Sequence, residues 1–408
     1  MPTSLPDPDG SQLLTSPDVG PLLDAAIAHA GGRLVAWALE QVDANPNLST
    51  TATFAAEVDW PYGRRTELLG VSARAQGPTA SDASAEIFAD GERELAVWLY
   101  PHDPDLPGLP RAAYPDPVAQ LCDDAGVFGR RVRPGDLELV TIGYRPRRRA
   151  VVRVTDRVGG ARVYLKVLRR QLVGGVAERH RLLREAGVPV PAILAATPDH
   201  VLVLSELSGE PLAHAVLERD DPCAAEDLIG LLDAMPASVA ALDRRPPWTQ
   251  TVEHYAGVVA RAVPRLGRTL HWLVDMIAGG LASCPPGAEP THGDFHEGQV
   301  YVAGGHVTGL LDVDTAGPGR RADDLACLVA HLSTIQHMDA AQVSRTSRLI
   351  RAWVPVFDER VDPVELRLRA AAVIVSLATG PFRAQEPDWE AETVRMVGSA
   401  QALVRQVA

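Results

Sequence analysis

Residues 291–317 read THGDFHEGQVYVAGGHVTGLLDVDTAG. Gly304-Gly305 between two apolar runs is a strong two-residue hairpin signal, because both turn positions need φ > 0. With those glycines as the turn, Ala303 pairs with His306 and Gln299 is expected opposite Leu310. Asp312 then emerges beside Glu297 and Gln299, so one short hairpin gathers Asp294, Gln299 and Asp312 at its open end. Two carboxylates and a carboxamide are hard oxygen donors, which suit Mg²⁺ better than zinc. One carboxylate can stay free to accept a proton from a hydroxyl. Asp314 is expected on the opposite face of the strand. His292 and His296 frame Asp294 as HxDxH, the pattern of a metallohydrolase alternative, but the chain has no HExxH helix to complete it.

The pattern upstream is of a different kind. LELVTIGYR, AVVRVTDR and RVYLKVLR, joined by the turns PRRR and VGGA, make an antiparallel meander from Leu137. On its third strand Val163, Leu165 and Val167 share one face, and Tyr164, Lys166 and Leu168 the other. Lys166 is the only lysine in the chain. Lysine and asparagine (only Asn45 and Asn47) are both scarce, as a GC-rich coding bias would produce. VAERHRLLREAG then has helical spacing and stops at Gly187. PDHVLVLSEL is a further strand, and from Pro211 the sequence is largely helical apart from the segment around His292.

HGDFHEGQV followed by LLDVD resembles the aminoglycoside phosphotransferase family, which includes choline, maltose and glucosamine kinases and shares the protein-kinase fold. The resemblance runs from about Leu137 to the end of the chain. HGD alone is weak; with Gln299, the Gly-Gly hairpin and Leu310-Leu311-Asp312 it is specific. It implies an α+β, bilobal protein-kinase-like fold, with a small antiparallel-β lobe, a helical lobe and an extra N-terminal α/β cap. It implies ATP and Mg²⁺ as cofactors and a small-molecule hydroxyl acceptor: a sugar, amino sugar or aminoglycoside. By the resemblance Asp294 is the catalytic base, while Gln299 and Asp312 hold the metal. Many members have Asn where this chain has Gln299; maltokinase-like members read HGDFH-x-GQ. Lys166 would contact the α- and β-phosphates and pair with Glu178, Glu185 being the rival partner. Ser205, Glu206 and Leu207 would form the hinge at the adenine edge. Asp324 corresponds to a structural aspartate that braces the catalytic loop.

At 408 residues the chain suits two or three domains. The expected divisions are a flexible arm (1–20), a cap (21–125), a small lobe (126–207) and a helical lobe (208–408). The Pro-rich segment Pro101–Pro117 reads as a linker or extended crossing segment. A net charge of −13 argues against nucleic acid as a partner. No apolar run is long enough to span a membrane, and the start lacks a basic signal region, so a cytoplasmic protein is expected. Cys122, Cys223, Cys284 and Cys327 form no CxxC pair and read as reduced, mostly buried thiols. Arg145, Arg147, Arg148 and Arg149 sit at the meander's first turn, where related folds cover phosphate, but without a Gly-rich motif a solvated turn is the expectation. Glu386, Asp388, Glu390 and Glu392 are candidate acceptor contacts in an acidic cleft. The alternative from another class is a non-catalytic nucleotide-binding protein with a degraded site.

Overall fold

The computed structural model describes residue 7 and residues 9–45, 48–74, 85–89 and 94–407. The chain divides into two compact units: residues 1–173, 193–205 and 382–387 form the first, and residues 174–192, 206–381 and 388–408 the second.

The first unit carries two five-stranded antiparallel sheets. One contains β1 (Arg33–Asn45), β2 (Ser49–Trp60), β3 (Gly63–Arg74), β4 (Glu86–Ala89) and β5 (Glu94–Leu99), in the order β1-β2-β3-β5-β4. Ala52, Phe54, Ala56 and Val58 alternate inward along β2, the period expected of a half-buried strand. They pack under α1 (Ser11–Leu14) and α2 (Gly20–His29), through Leu14, Leu23 and Ile27. Each such fully buried large apolar side chain contributes roughly 1.5–3 kcal/mol. The expected N-terminal arm is therefore ordered from residue 9 on, because Leu14 and Val19 are wholly buried in this core; residues 1–6 and 8 lie outside the described residues.

The second sheet is the meander expected from Leu137: β6 (Leu137–Arg145), β7 (Arg149–Asp156), β8 (Arg162–Leu168), β9 (Ile193–Ala196) and β10 (Val201–Ser205), in the order β6-β7-β8-β10-β9. Val152, Val154, Leu165, Val167 and Val203 form its buried face. They are covered by Leu106, Leu109 and Val118 from the Pro-rich segment and from α3 (Leu109–Ala113) and α4 (Pro115–Asp124). The Pro-rich stretch is thus part of a core, where a linker was expected: its apolar residues outweigh its prolines.

The β6–β7 turn also differs from the solvated turn expected. Arg147 is 6% exposed and has φ 60. Its guanidinium lies 5.0 Å over Trp98 and donates to the Ser72 hydroxyl at 2.9 Å. Its backbone N–H donates to Asp103 at 2.7 Å, and Asp103 also accepts the Tyr144 hydroxyl at 2.8 Å. Trp98 donates its indole N–H to that same hydroxyl. Burial pushes the Asp103 carboxyl up, against these hydrogen bonds. Arg148 behaves as a surface residue, ion-paired with Asp43 at 3.3 Å.

The second unit begins along α5 (Arg170–Glu185) and is otherwise α6 (Leu212–Glu218), α7 (Ala225–Asp233), α8 (Trp248–Ala262), α9 (Gly267–Gly280), α10 (Arg321–Leu332), α11 (Ala340–Arg360), α12 (Pro363–Leu377), α13 (Gly380–Arg383) and α14 (Trp389–Arg405). The ends of α5 and α13 belong to the first unit. α12 is buried at every position from Leu368 to Ser376, and its run Ala370-Ala371-Ala372 lets α8, α9, α10 and α14 approach closely. Small strands interrupt the helices: β11 (Glu210–Pro211), β12 (Glu289–Thr291), β13 (Val300–Ala303), β14 (His306–Leu310) and β15 (Gly317–Gly319). All four cysteines are free thiols, three of them buried. Among the described residues no helix is long and apolar enough to cross a membrane.

Candidate active site

Gly304 and Gly305 form the hairpin turn with φ 60 and 82, and Ala303 pairs with His306 as the sequence requires. The register then shifts at a bulge between Tyr301 and Val302, so Leu310 faces Val300 where Gln299 was expected. Gln299 is instead tied to the next residue, its carbonyl accepting the Leu311 N–H at 2.7 Å. The strand ends there. Asp312 takes φ 50 and caps the 3₁₀ turn Val313–Thr315, so the strand alternation that placed Asp314 on an opposite face does not continue.

The loop before the hairpin is fixed through its backbone. Asp324, at the start of α10 and wholly buried, accepts the N–H groups of His292 and Gly293, each at 2.9 Å. Burial pushes its carboxyl up to about 6, opposed by His292 and Arg321. The His292 ring is also fully used: Nε2 donates to the Leu311 carbonyl at 2.8 Å, and Nδ1 accepts the Asp294 N–H at 3.3 Å. Gly293 has φ 80, and a Cβ there would stand 2.8 Å from the Thr315 carbonyl. Only glycine fits that approach.

Gln299 contacts the His296 ring, and the charges of Asp294 and Asp312 act on it. Gln299 is hydrogen-bonded to its Nε2 at 3.0 Å. Burial lowers the His296 pKa, and the charges of Asp294 and Asp312 both oppose that shift. Nδ1 of His296 accepts the Gly298 N–H at 3.1 Å, so the neutral ring must donate from Nε2. The carboxamide therefore presents its oxygen to the ring once oriented to match. To bind a cation, Gln299 has to share or release that oxygen. The set itself, two carboxylates and one amide oxygen, fits Mg²⁺ chemistry.

A second cluster lies behind this one. His296 and His331 stack with centroids 4.2 Å apart and planes 7° from parallel, and the Glu297 carboxylate lies 4.0 and 3.9 Å from their Nδ1 atoms. Burial raises Glu297 to about 7 and, with His296, lowers His331 to about 3. A metal must lie near the plane of each imidazole it binds, and two parallel rings cannot share such a point. With His292 committed to Leu311 and His296 stacked, the metallohydrolase alternative loses both its histidines.

The remaining sequence candidates are placed as follows. Lys166 is 4% exposed on β8, in register with Val151 and Leu202. Glu178 and Glu185 lie on the exposed face of α5, and Arg181 holds both, at 2.8 Å from Glu178 and 2.7 Å from Glu185. Ser205 ends β10, and the chain passes from the first unit to the second between Ser205 and Glu206, with Leu207 following. Glu390 is paired with Arg265 and Glu392 with Arg395, while Asp388 precedes α14 and Glu386 belongs to the first unit.

Two arginines carry structure that no motif announced. Arg179, buried on α5, donates to the carbonyls of Ala316 at 2.7 Å and Asp243 at 3.3 Å. Arg245 donates to the Gly293 carbonyl at 3.0 Å and stands 3.7 Å from the Asp294 carboxylate. Both lie in ordinary arginine-rich sequence with no distinctive spacing.

A model of the phosphotransferase enzyme family matches residues 136–356, more than half of the chain. No curated protein matches it. Among solved structures, a thermostable mutant of aminoglycoside phosphotransferase APH(4)-Ia is 15% identical, with a TM-score of 0.48 over 67% of this chain and 96% of that one. Choline kinase from Cryptosporidium parvum Iowa II is 12% identical, with a TM-score of 0.47 over 71% of this chain and 95% of that one. A choline/ethanolamine kinase family protein from Mesorhizobium loti is 18% identical, with a TM-score of 0.46 over 65% and 87%. Likenesses of that size say nothing about the site or its substrate. The match over residues 136–356 spans both the β6–β10 sheet and the clamped His292–Asp312 loop, and the chain belongs to the phosphotransferase enzyme family.

Proposed function

We propose that the protein transfers the γ-phosphoryl group of ATP, with Mg²⁺, to a hydroxyl of a sugar, amino sugar or aminoglycoside. The observation that carries this reading is the Asp324 clamp on the backbone of His292 and Gly293, which fixes the loop that carries Asp294.

In this reading Asp294 accepts the proton of the acceptor hydroxyl. The acceptor oxygen forms its bond to the γ-phosphorus as the bond to the β-phosphate oxygen breaks, and ADP leaves. Asp312 and Gln299 would hold Mg²⁺, which when bound offsets phosphate charge. Lys166 is the proposed contact to the α- and β-phosphates; a compact ammonium suits that place better than a planar guanidinium. Glu178 is its proposed partner, which requires exchanging Arg181 for lysine. Ser205, Glu206 and Leu207 are proposed as the adenine hinge. No nucleic-acid partner and a cytoplasmic setting complete the reading.

The test is ADP formation from Mg·ATP across neutral sugars, amino sugars and aminoglycosides, with the phosphorylated acceptor identified by mass. Asp294→Ala is expected to lower turnover by roughly 10²–10⁴. Undiminished turnover in that variant would show that Asp294 is not the base.

A further inference from the structure

We propose that Arg245 is the positioning residue of the catalytic base: it holds one carboxylate oxygen of Asp294 so that the other faces the acceptor hydroxyl. The proposal rests on the reading of Asp294 as that base. Four observations meet at this side chain. Nη1 donates to the Gly293 carbonyl at 3.0 Å, inside the loop that carries Asp294. The same nitrogen lies 3.7 Å from Asp294 Oδ2. The guanidinium lies 4.5 Å over the Trp248 ring at the start of α8, and Trp248 in turn packs on Tyr255 at 5.7 Å. The segment leading to it is pinned as well: the Asp243 carbonyl accepts from Arg179 at 3.3 Å.

A flexible arginine alone would be a poor clamp, since its rotamer freedom opposes any fixed geometry. Stacking on Trp248 limits that freedom in advance, and the single nitrogen Nη1 then faces both the Gly293 carbonyl and the Asp294 carboxylate. At 3.7 Å the contact to Oδ2 is an ion pair rather than a hydrogen bond. It orients the carboxylate and leaves Oδ1 without a competing cation from this side. Asp294 is 28% exposed, so without such a contact its carboxylate could rotate freely in water. Displacing a reacting group by about 1 Å costs on the order of 10²-fold in rate.

Arg245→Ala, Arg245→Lys and the double variant Arg245→Ala/Asp294→Ala test this. The assay is Mg·ATP with each acceptor of the panel above, read by ADP release, together with Mg·ADP binding by calorimetry. Arg245→Ala is expected to lower kcat about 10- to 100-fold while Mg·ADP affinity stays within about twofold. Added methylguanidinium is expected to restore part of that loss, and Arg245→Lys to retain more activity than Ala. In the Asp294→Ala background, removing Arg245 is expected to cost nothing further, because the residue acts through Asp294. An unchanged kcat, a parallel loss of nucleotide binding, an absent rescue, or a full additional loss in the double variant would each overturn the proposal. If the wild-type protein forms no ADP with any acceptor, the kinase reading fails in the wild-type control and the proposal falls with it. A failure of the proposal alone shows only in the variants.

Discussion

Truncation of Arg147 to alanine separates a buried anchor from a solvated turn. The side chain is 6% exposed and makes a 2.9 Å hydrogen bond to Ser72, itself 3% exposed. A hydrogen bond from a charged donor contributes about 1.5–3 kcal/mol, and a desolvated cation–π contact about 2 kcal/mol. The ion pair to Asp105, which is 32% exposed, adds at most about 1 kcal/mol. These terms overlap, so we expect a loss of about 3–5 kcal/mol, the cost typical of breaking a buried charged network. In a unit of this size each kcal/mol shifts the melting temperature by roughly 2–4 °C, so a fall of roughly 10 °C is expected.

The controls lie within the same turn. Arg148 is 55% exposed and ion-paired with Asp43, so Arg148→Ala is expected to change stability by less than about 0.5 kcal/mol. Arg147→Gly loses the same side-chain contacts as alanine but relieves the φ of 60, and should recover about 1 kcal/mol relative to it. Scanning calorimetry of the four proteins measures all of this. Equal, sub-kcal/mol effects for Arg147 and Arg148 would refute the anchoring argument and restore the solvated turn.

Three further outcomes are expected. Asp156, 2% exposed, has its carboxyl held below the usual range by Arg130; a depressed folded pKa stabilises above the unfolded value near 3.9 and is lost as pH falls through the folded value. Denaturant midpoints of wild type and Asp156→Asn should therefore differ most at neutral pH and converge in acid; a gap that is the same at pH 7 and pH 3.5 would count against the pair. Lys166→Arg, tested by ADP release with its fold checked by circular dichroism, is expected to lose at least about tenfold in turnover; wild-type turnover would make the lysine incidental. Asp324, raised to about 6, contributes stability that is full below 3.8 and lost as pH rises through 6. Asp324→Asn escapes that loss, so its stability relative to wild type should rise between pH 4 and pH 7.5, by up to about 3 kcal/mol. Its activity should fall, because His292 and Gly293 donate to different oxygens of Asp324 and the substitution turns one of those acceptors into an NH₂ donor; a relative stability independent of pH would refute the linkage.

The two hairpin glycines, the meander strands and the alternation around Lys166 were legible because each rests on a local rule: a φ requirement or a period of two. What failed were inferences in which burial competes with a local signal. Pro101–Pro117 carries enough proline to read as a linker, yet Leu106 and Leu109 are wholly buried against the β6–β10 sheet. Arg147 and Arg148 are adjacent and identical in type, and nothing along the chain says that one stacks on Trp98 while the other faces water. The register slip has the same origin: the bulge after Tyr301 leaves no mark in the sequence, but it moves Gln299 from a strand partner to the residue whose carbonyl receives Leu311. That displacement is what puts Asp312 next in line after a fixed backbone contact. Asp324 was legible through the same resemblance as HGD and LLD, whereas Arg179 and Arg245 act on backbone carbonyls, which any sequence provides. A support of that kind is specified by where two segments meet in space, and only the folded chain brings them together.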